Sequence, residues 1–308
     1  MLQYQLHSVA LAAFALFQVT LSASLESRAC DCWKTKEDGT LFTNYKTIDF
    51  RSLAKYAGPV PAVINDWNGN AQAGPTSAYF KSSTWTNFFG LQNWGDTTTP
   101  IKKINSLNNA YIQNNTDGTT YLTFRTYRTK KFQSIVEADS VADDYTAVSM
   151  RFRSRVHGNS GACAGGFTYK SYEDGVQHES DTEFLTNGPT NVIHYTTHPE
   201  EEDHDFDGTF TIEAPDSSRW TNFQEHRVDW TQPKTTWYLN GKQNGQLPHE
   251  DAQEPSYLIF NMWSEGNPEW EGTMAVGGSA YFDLQYIQVA YNTSTPRTRA
   301  CTSTCTLS

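Results

Sequence analysis

Short runs rich in Thr, Tyr, Phe and Val recur along this 308-residue chain, and helical periodicity is almost absent. The clearest runs are 120–127, 145–157, 166–172, 178–185, 191–197, 209–213, 226–230, 235–240, 257–263 and 281–291, each bounded by turn residues. β-Branched and aromatic side chains suit a pleated, half-buried surface, so many short strands separated by turn signals predict an all-β sandwich of two antiparallel sheets. Asn240-Gly241, directly after Trp237-Tyr238-Leu239, predicts a tight hairpin. Residues 60–110 are rich in Asn, Gly, Thr and Trp and read as long loops with little regular structure, shaping one side of a cleft. Neither an internal repeat nor a long linker divides the chain.

One predicted strand carries unusual chemistry. Residues 178–185 read His178-Glu179-Ser180-Asp181-Thr182-Glu183-Phe184-Leu185. Alternate side chains of a strand share a face, so Glu179, Asp181 and Glu183 stand in a row. Like charges that close repel, and packing gives no reason to align them. Hydrolysis of a glycosidic bond does, because it needs one carboxylate as nucleophile and one carboxylic acid as proton donor. A middle Asp helps hold the two in different protonation states. The competing reading is a solvated acidic strand face, and Glu-x-Asp-x-Glu arises by chance in roughly one chain of this size in fifteen. Ser180 and Thr182 then face the core, where their hydroxyls need internal hydrogen bonds.

The N-terminus reads as a secretory signal over residues 1–23. Met1 to Leu21 holds no Lys, Arg, Asp or Glu, and its apolar centre, Val9 to Phe17, is too short for a membrane span. Small residues Ser22, Ala23 and Ser24 suit signal peptidase. A single domain over 24–292 and a short polar, Cys-containing tail over 293–308 follow. The net charge of −11, without a basic cluster, argues against nucleic acid as a partner. No later stretch is apolar enough for a membrane. A monomer is expected.

Nine Trp and sixteen Tyr are many for one domain; such rings fill cores, and in a secreted acidic protein they also stack on sugar faces. Of five cysteines, Cys30 and Cys32 open the mature chain, Cys301 and Cys305 close it, and Cys163 lies between. In an oxidising compartment these are disulfide formers rather than a metal site, with one thiol left over and the connectivity open. Asn114 and Asn292 are glycosylation acceptors where exposed.

Four segments, in order, resemble glycoside hydrolase family 16. They are Gly165-Gly166-Phe167-Thr168-Tyr169 leading into 179–185; Asn191-Val192-Ile193-His194-Tyr195; His226-Arg227-Val228-Asp229-Trp230 followed by Thr236-Trp237-Tyr238-Leu239-Asn240-Gly241; and Asn261-Met262-Trp263 through Pro268-Glu269-Trp270-Glu271-Gly272. The resemblance spans about 120–291, more loosely from about 40. It implies a concanavalin A-like β-jelly roll with a substrate cleft on its concave face. It also implies a retaining mechanism with Glu179 as nucleophile, Asp181 as auxiliary acid and Glu183 as acid/base. The intervening positions are commonly Ile in the family and are Ser180 and Thr182 here, which leaves the catalytic face intact but alters packing behind it. The five-residue spacing resembles the lichenase and transglycosylase branch rather than the laminarinases, whose extra residue makes a bulge.

The implied substrate is a β-1,3-1,4- or β-1,4-linked glucan polysaccharide. Tyr195, Asn261, Trp263 and Trp270 are the expected substrate-binding residues; His194 and Tyr195 alternate, so only one of them lines the cleft, and Tyr195 is taken as that one. Trp230 and Trp237 are expected in the core. No cofactor or metal is required; the acidic run 200–207 reads as a solvated loop ahead of a structural calcium site. A cell-wall transglycosylase uses the same first half-reaction, and a catalytically silent glucan-binding protein is the alternative from another class.

Overall fold

The computed structural model describes residues 30–171, 177–198, 209–214, 218–248 and 254–307. In chain order its strands begin with β1 (Cys32–Lys34), β2 (Leu41–Phe42), β3 (Asn44–Asp49), β4 (Phe89–Leu91), β5 (Gly95–Asp96), β6 (Lys103–Asn105), β7 (Ala110–Asn114), β8 (Thr120–Arg128), β9 (Gln133–Ser140) and β10 (Tyr145–Gly158). They continue with β11 (Cys163–Ser171), β12 (Gln177–Leu185), β13 (Val192–His198), β14 (Thr209–Glu213), β15 (Gln224–Thr231), β16 (Lys234–Leu239), β17 (Lys242–Pro248), β18 (Tyr257–Trp263), β19 (Ser279–Thr293) and β20 (Thr304–Thr306).

One antiparallel layer runs β4-β9-β18-β11-β12-β13-β14. The other runs β17-β16-β15-β10-β19-β8-β7, with β3 taking the place beside β19 where β8 stops. β9 serves both layers. Its first residues pair with β6 and β8, and its later ones with β18 and β4. The architecture is the sandwich expected from the strand pattern, and the jelly roll that the family resemblance implies.

The pleat sorts the residues between the layers. Val148, Met150 and Phe152 of β10 and Phe282 and Leu284 of β19 are fully buried against Phe184 of β12 and Leu258, Phe260 and Met262 of β18. Phe152 and Phe260 meet edge to face across the gap, with centroids 5.3 Å apart. Gly166 makes room for that pair: a Cβ there would lie 2.9 Å from Phe260 and 3.2 Å from Phe152. Trp230 and Trp237 lie in the core as expected, and Ser180 meets its requirement through the Thr235 and Thr197 hydroxyls, at 3.0 and 3.3 Å. Asn240 and Gly241 both have positive φ, 49° and 77°, the geometry of a two-residue hairpin loop between β16 and β17.

The segment 60–110 is mostly irregular, as expected, but it does more than shape one side of the cleft. It folds into short helical turns and strands β4–β6, and it supplies Tyr79, Phe80, Trp85, Phe88 and Phe89 to the core. Its rings fall in adjacent pairs, Tyr79-Phe80 and Phe88-Phe89, rather than at a period of two, yet they bury one cluster. Trp85 packs against Phe50, Tyr79, Phe80 and Phe89.

The two ends are joined. Disulfides link Cys30 to Cys305 and Cys32 to Cys301, leaving Cys163 free. β1 pairs parallel with β20 and antiparallel with β2. Trp33 stacks on Tyr45 at 5.2 Å, and Glu37 reaches Arg227 at 2.7 Å. Tyr45 and Arg227 alternate with the core residues Ile48 and Val228, so this staple lies on the outer face of the second layer, behind the cleft. Asn114 is exposed at the end of β7, whereas the Asn292 amide is engaged with Thr43 and the Leu41 carbonyl. The signal segment and the acidic run 200–207 lie outside the described residues.

Candidate active site

The register of β12 fixes what surrounds its carboxylates. Glu179 lies opposite Tyr169 on β11 and His198 on β13; Asp181 lies opposite Phe167 and Thr196; Glu183 lies opposite Gly165 and His194. These residues share the face turned away from the core, because Ser180, Thr182 and Phe184 point into it. The same face continues over Ile259, Asn261 and Trp263 of β18 to Glu137 and Asp139 of β9.

Asp181 is only 5% exposed and hydrogen-bonds Glu179. Burial pushes all three carboxyls of β12 upward, and repulsion within the row adds to it for Glu179 and Asp181. The row therefore holds protons at pH values where exposed carboxyls have lost them, as a protonated donor requires. Asp181 Oδ1 is buried with no hydrogen-bond partner among the described residues, as are Oδ1 of Asn261 and Oδ1 of Asp139. Buried acceptors of this kind call for donors, and sugar hydroxyls are donors.

Glu183 is held from two sides. The Trp270 indole N–H donates to Oε2 at 3.2 Å, and the Cys163 thiol lies 3.1 Å from Oε1. Both contacts favour the carboxylate and oppose part of the effect of burial. Trp270 belongs to the connection between β18 and β19, which the buried Glu271 organises. One Glu271 oxygen accepts backbone N–H groups from Glu265, Gly266 and Asn267 at 2.8, 2.8 and 3.1 Å. Asn187 fixes the Trp270 carbonyl at 2.7 Å, and the indole meets His194 with centroids 5.0 Å apart.

The expected binding residues divide. Asn261, Trp263 and Trp270 all reach the triad's face. Asn261 donates to Glu137 at 3.3 Å, and Trp263 lies under the Lys103 ammonium at 5.2 Å. Tyr195 does not reach it. It is 1% exposed, stacked on Trp237 at 5.0 Å in the core and bonded to Asn244 at 3.0 Å. The register, Glu183 opposite His194 and Thr182 opposite Tyr195, puts the histidine in the cleft and the tyrosine behind it. The expectation for the pair is thus reversed, because an aromatic ring was favoured where the pleat decides.

The sequence reading also passed over Glu137, Asp139, Trp94, Cys163 and His198. Glu137 and Asp139 repeat the Glu-x-Asp alternation of β12, and that period of two was the available signal. Burial raises both, Asp139 to about 7. Trp94 is 44% exposed and hydrogen-bonds Glu137, which places it at the rim. Ligand atoms of Glu179, Asp181 and His198 lie within 4.8 Å of one another. A cation there would sit between the first two carboxylates of the row.

A jelly roll bearing a row of three alternating carboxylates on the face turned from its core is the arrangement of a glycoside hydrolase fold. The chain belongs to the glycosyl hydrolases family 16, whose model matches residues 101–283. Its fold is similar to a β-glucanase of Bacillus licheniformis (TM-score 0.56, 18% identity, 69% of this chain and 94% of that one). It is also similar to the laminarinase catalytic domain of Thermotoga maritima (0.55, 14%, 68% and 93%) and to an endo-β-1,3-glucanase of Pyrococcus furiosus (0.56, 14%, 86% and 99%). A curated relative is Congo red hypersensitive protein 1 of Saccharomyces cerevisiae, 34% identical over 61 residues, or 16% of this chain. The match spans 12% of that relative's length.

Proposed function

We propose that this protein is a secreted, retaining endo-β-glucanase acting on β-1,3-1,4- or β-1,4-linked glucans. The observation that carries the reading is the row Glu179-Asp181-Glu183 on the face of β12 turned from the core, its Asp buried and both Glu half-buried, with Glu183 held by two donors. Ionised Glu179 attacks the anomeric carbon and the bond to the leaving oxygen breaks as Glu183 protonates it, giving a covalent glycosyl-enzyme. Glu183, now a carboxylate, takes a proton from water, which attacks and releases Glu179. Asp181 hydrogen-bonds and orients the nucleophile, and its burial beside both glutamates keeps the row from ionising fully. Asn261, Trp263 and Trp270, joined by His194, form the surface on which the glucan lies. The regular strand, without a bulge within the triad, favours these linkages over a strict β-1,3-glucan. The two disulfides favour an oxidising compartment.

The same intermediate passes to a sugar acceptor in a transglycosylase, so the test runs with and without acceptor. Barley β-glucan, lichenan, laminarin, xyloglucan and chitin oligomers are incubated with the protein, and products are sized. Shortening of the mixed-linkage or β-1,4-glucans is expected. Lengthened products only, or cleavage of laminarin alone, would overturn the hydrolytic or the linkage assignment respectively. Glu183→Gln should lose natural glucans yet let Glu179 react with an activated aryl glycoside. Full turnover of polysaccharide by Glu179→Ala would refute the nucleophile.

A further inference from the structure

We infer that Cys163 is a positioning residue for the acid/base, its thiol donating a hydrogen bond to Glu183 Oε1 and locking the carboxyl against the indole of Trp270. This rests on the reading of Glu183 as the acid/base.

The geometry begins with the sheet. Cys163 lies on β11, directly opposite Leu185 and diagonal to Glu183 on the same face. The residue directly opposite Glu183 is Gly165, which has no side chain. Glu183 therefore leans across an empty position, and the first group it meets there is the thiol, 3.1 Å from Oε1. Position 165 has no room for a side chain, since even a Cβ would come within 2.9 Å of Asn261 Oδ1.

The thiol is suited to the task. Cys163 is fully buried, the four other cysteines are spent in the terminal disulfides, and no disulfide competes for it. Burial and the neighbouring carboxylate hold it well above the usual thiol range, so it keeps its proton and acts as donor. Trp270 supplies an N–H that can only donate, to Oε2. The carboxyl plane is thus fixed at both oxygens. A weak S–H donor on one oxygen steadies the carboxylate without stabilising it so strongly that the proton is lost before the chemistry. A residue that merely fills the floor of the cleft would be matched by any side chain of similar volume. A donor is matched only by another donor.

The test compares wild type, Cys163→Ala, Cys163→Val and Cys163→Ser by kcat/KM against pH, on a natural glucan and on an aryl glycoside whose leaving group needs no protonation. Removing the donor should raise the Glu183 pKa and move the alkaline limb upward by about half a unit, since one stabilising contact of the carboxylate is lost. On the natural glucan Cys163→Ala and Cys163→Val should lose about tenfold, the order of a misplaced general acid, while formation of the glycosyl-enzyme from the activated substrate stays within about twofold. Cys163→Ser should restore limb and rate. A valine variant that matches wild type, a serine variant no better than alanine, or equal losses on both substrates would overturn the inference. If wild-type protein turns over neither substrate and traps no glycosyl-enzyme, the reading of Glu183 fails instead, and the two failures are told apart.

Discussion

Asp181 concentrates the cost and the use of this site in one side chain. It is nearly inaccessible, flanked by two glutamates, and bonded to one of them. The folded row binds protons more readily than the unfolded chain does, because burial raises each carboxyl. Their contribution to stability is therefore greatest below the ordinary carboxylate range and falls as pH rises through the raised values. Asp181→Asn removes one buried charge from that window. We expect it to melt about 2–4 °C above wild type near pH 8, with a smaller gain near pH 5, while turnover of glucan drops by about 10²-fold as the nucleophile loses its partner. Thermal melts at the two pH values decide this; equal shifts at both would mean that the charge of Asp181 is not the cause. The triad was legible in the sequence because its spacing states its face. His194 and Tyr195 were not, since choosing between adjacent residues requires the register with β12, which no local pattern states.

At the scale of elements, the strands rich in β-branched and aromatic residues were legible to within a few positions, as with β13 and β18, and β12 was legible through its alternating carboxylates. β9 was not. Its exposed face carries Glu137 and Asp139, so the strand that lines the cleft looks like a polar segment. β17, paired to β16 through the Asn240-Gly241 hairpin, is polar up to the core residue Leu247 for the opposite reason: it is an edge. The connection from β18 to β19 contains no periodic signal, and the buried Glu271 carboxylate gathers three of its backbone N–H groups. Glu271→Ala should free three backbone N–H groups and let Trp270 drift from Glu183, lowering kcat by about 10–100-fold. Glu271→Gln keeps an acceptor oxygen and should keep most of the activity. Steady-state kinetics of the two variants checks this, and an alanine variant as active as wild type would separate the loop from the chemistry.

Across the whole molecule, the terminal disulfides and the β1–β20 pair close a ring 275 residues long. The second bridge, 269 residues apart, closes almost the same ring, so the chain entropy it removes is largely the same. Opening one, as in Cys32→Ser with Cys301→Ser, should cost less than about 1 kcal/mol, and opening both about 2–4 kcal/mol. Denaturant melts of the single-bridge and bridge-free variants measure the two steps; additive losses would show that each bridge holds something of its own. The pairing was beyond the sequence, which left the choice among five cysteines open, because it depends on where two distant ends meet in space.

That meeting point has a consequence for how the molecule can be carried. Both ends of the described chain leave from the outer face of the second layer, the side turned away from Glu179 and Glu183. A protein fastened to a solid support through either end would hold its cleft outward, towards chains too large to diffuse. Because the ends are locked to each other, a cut in a surface loop between the bridges would leave the two pieces still joined as one covalent body.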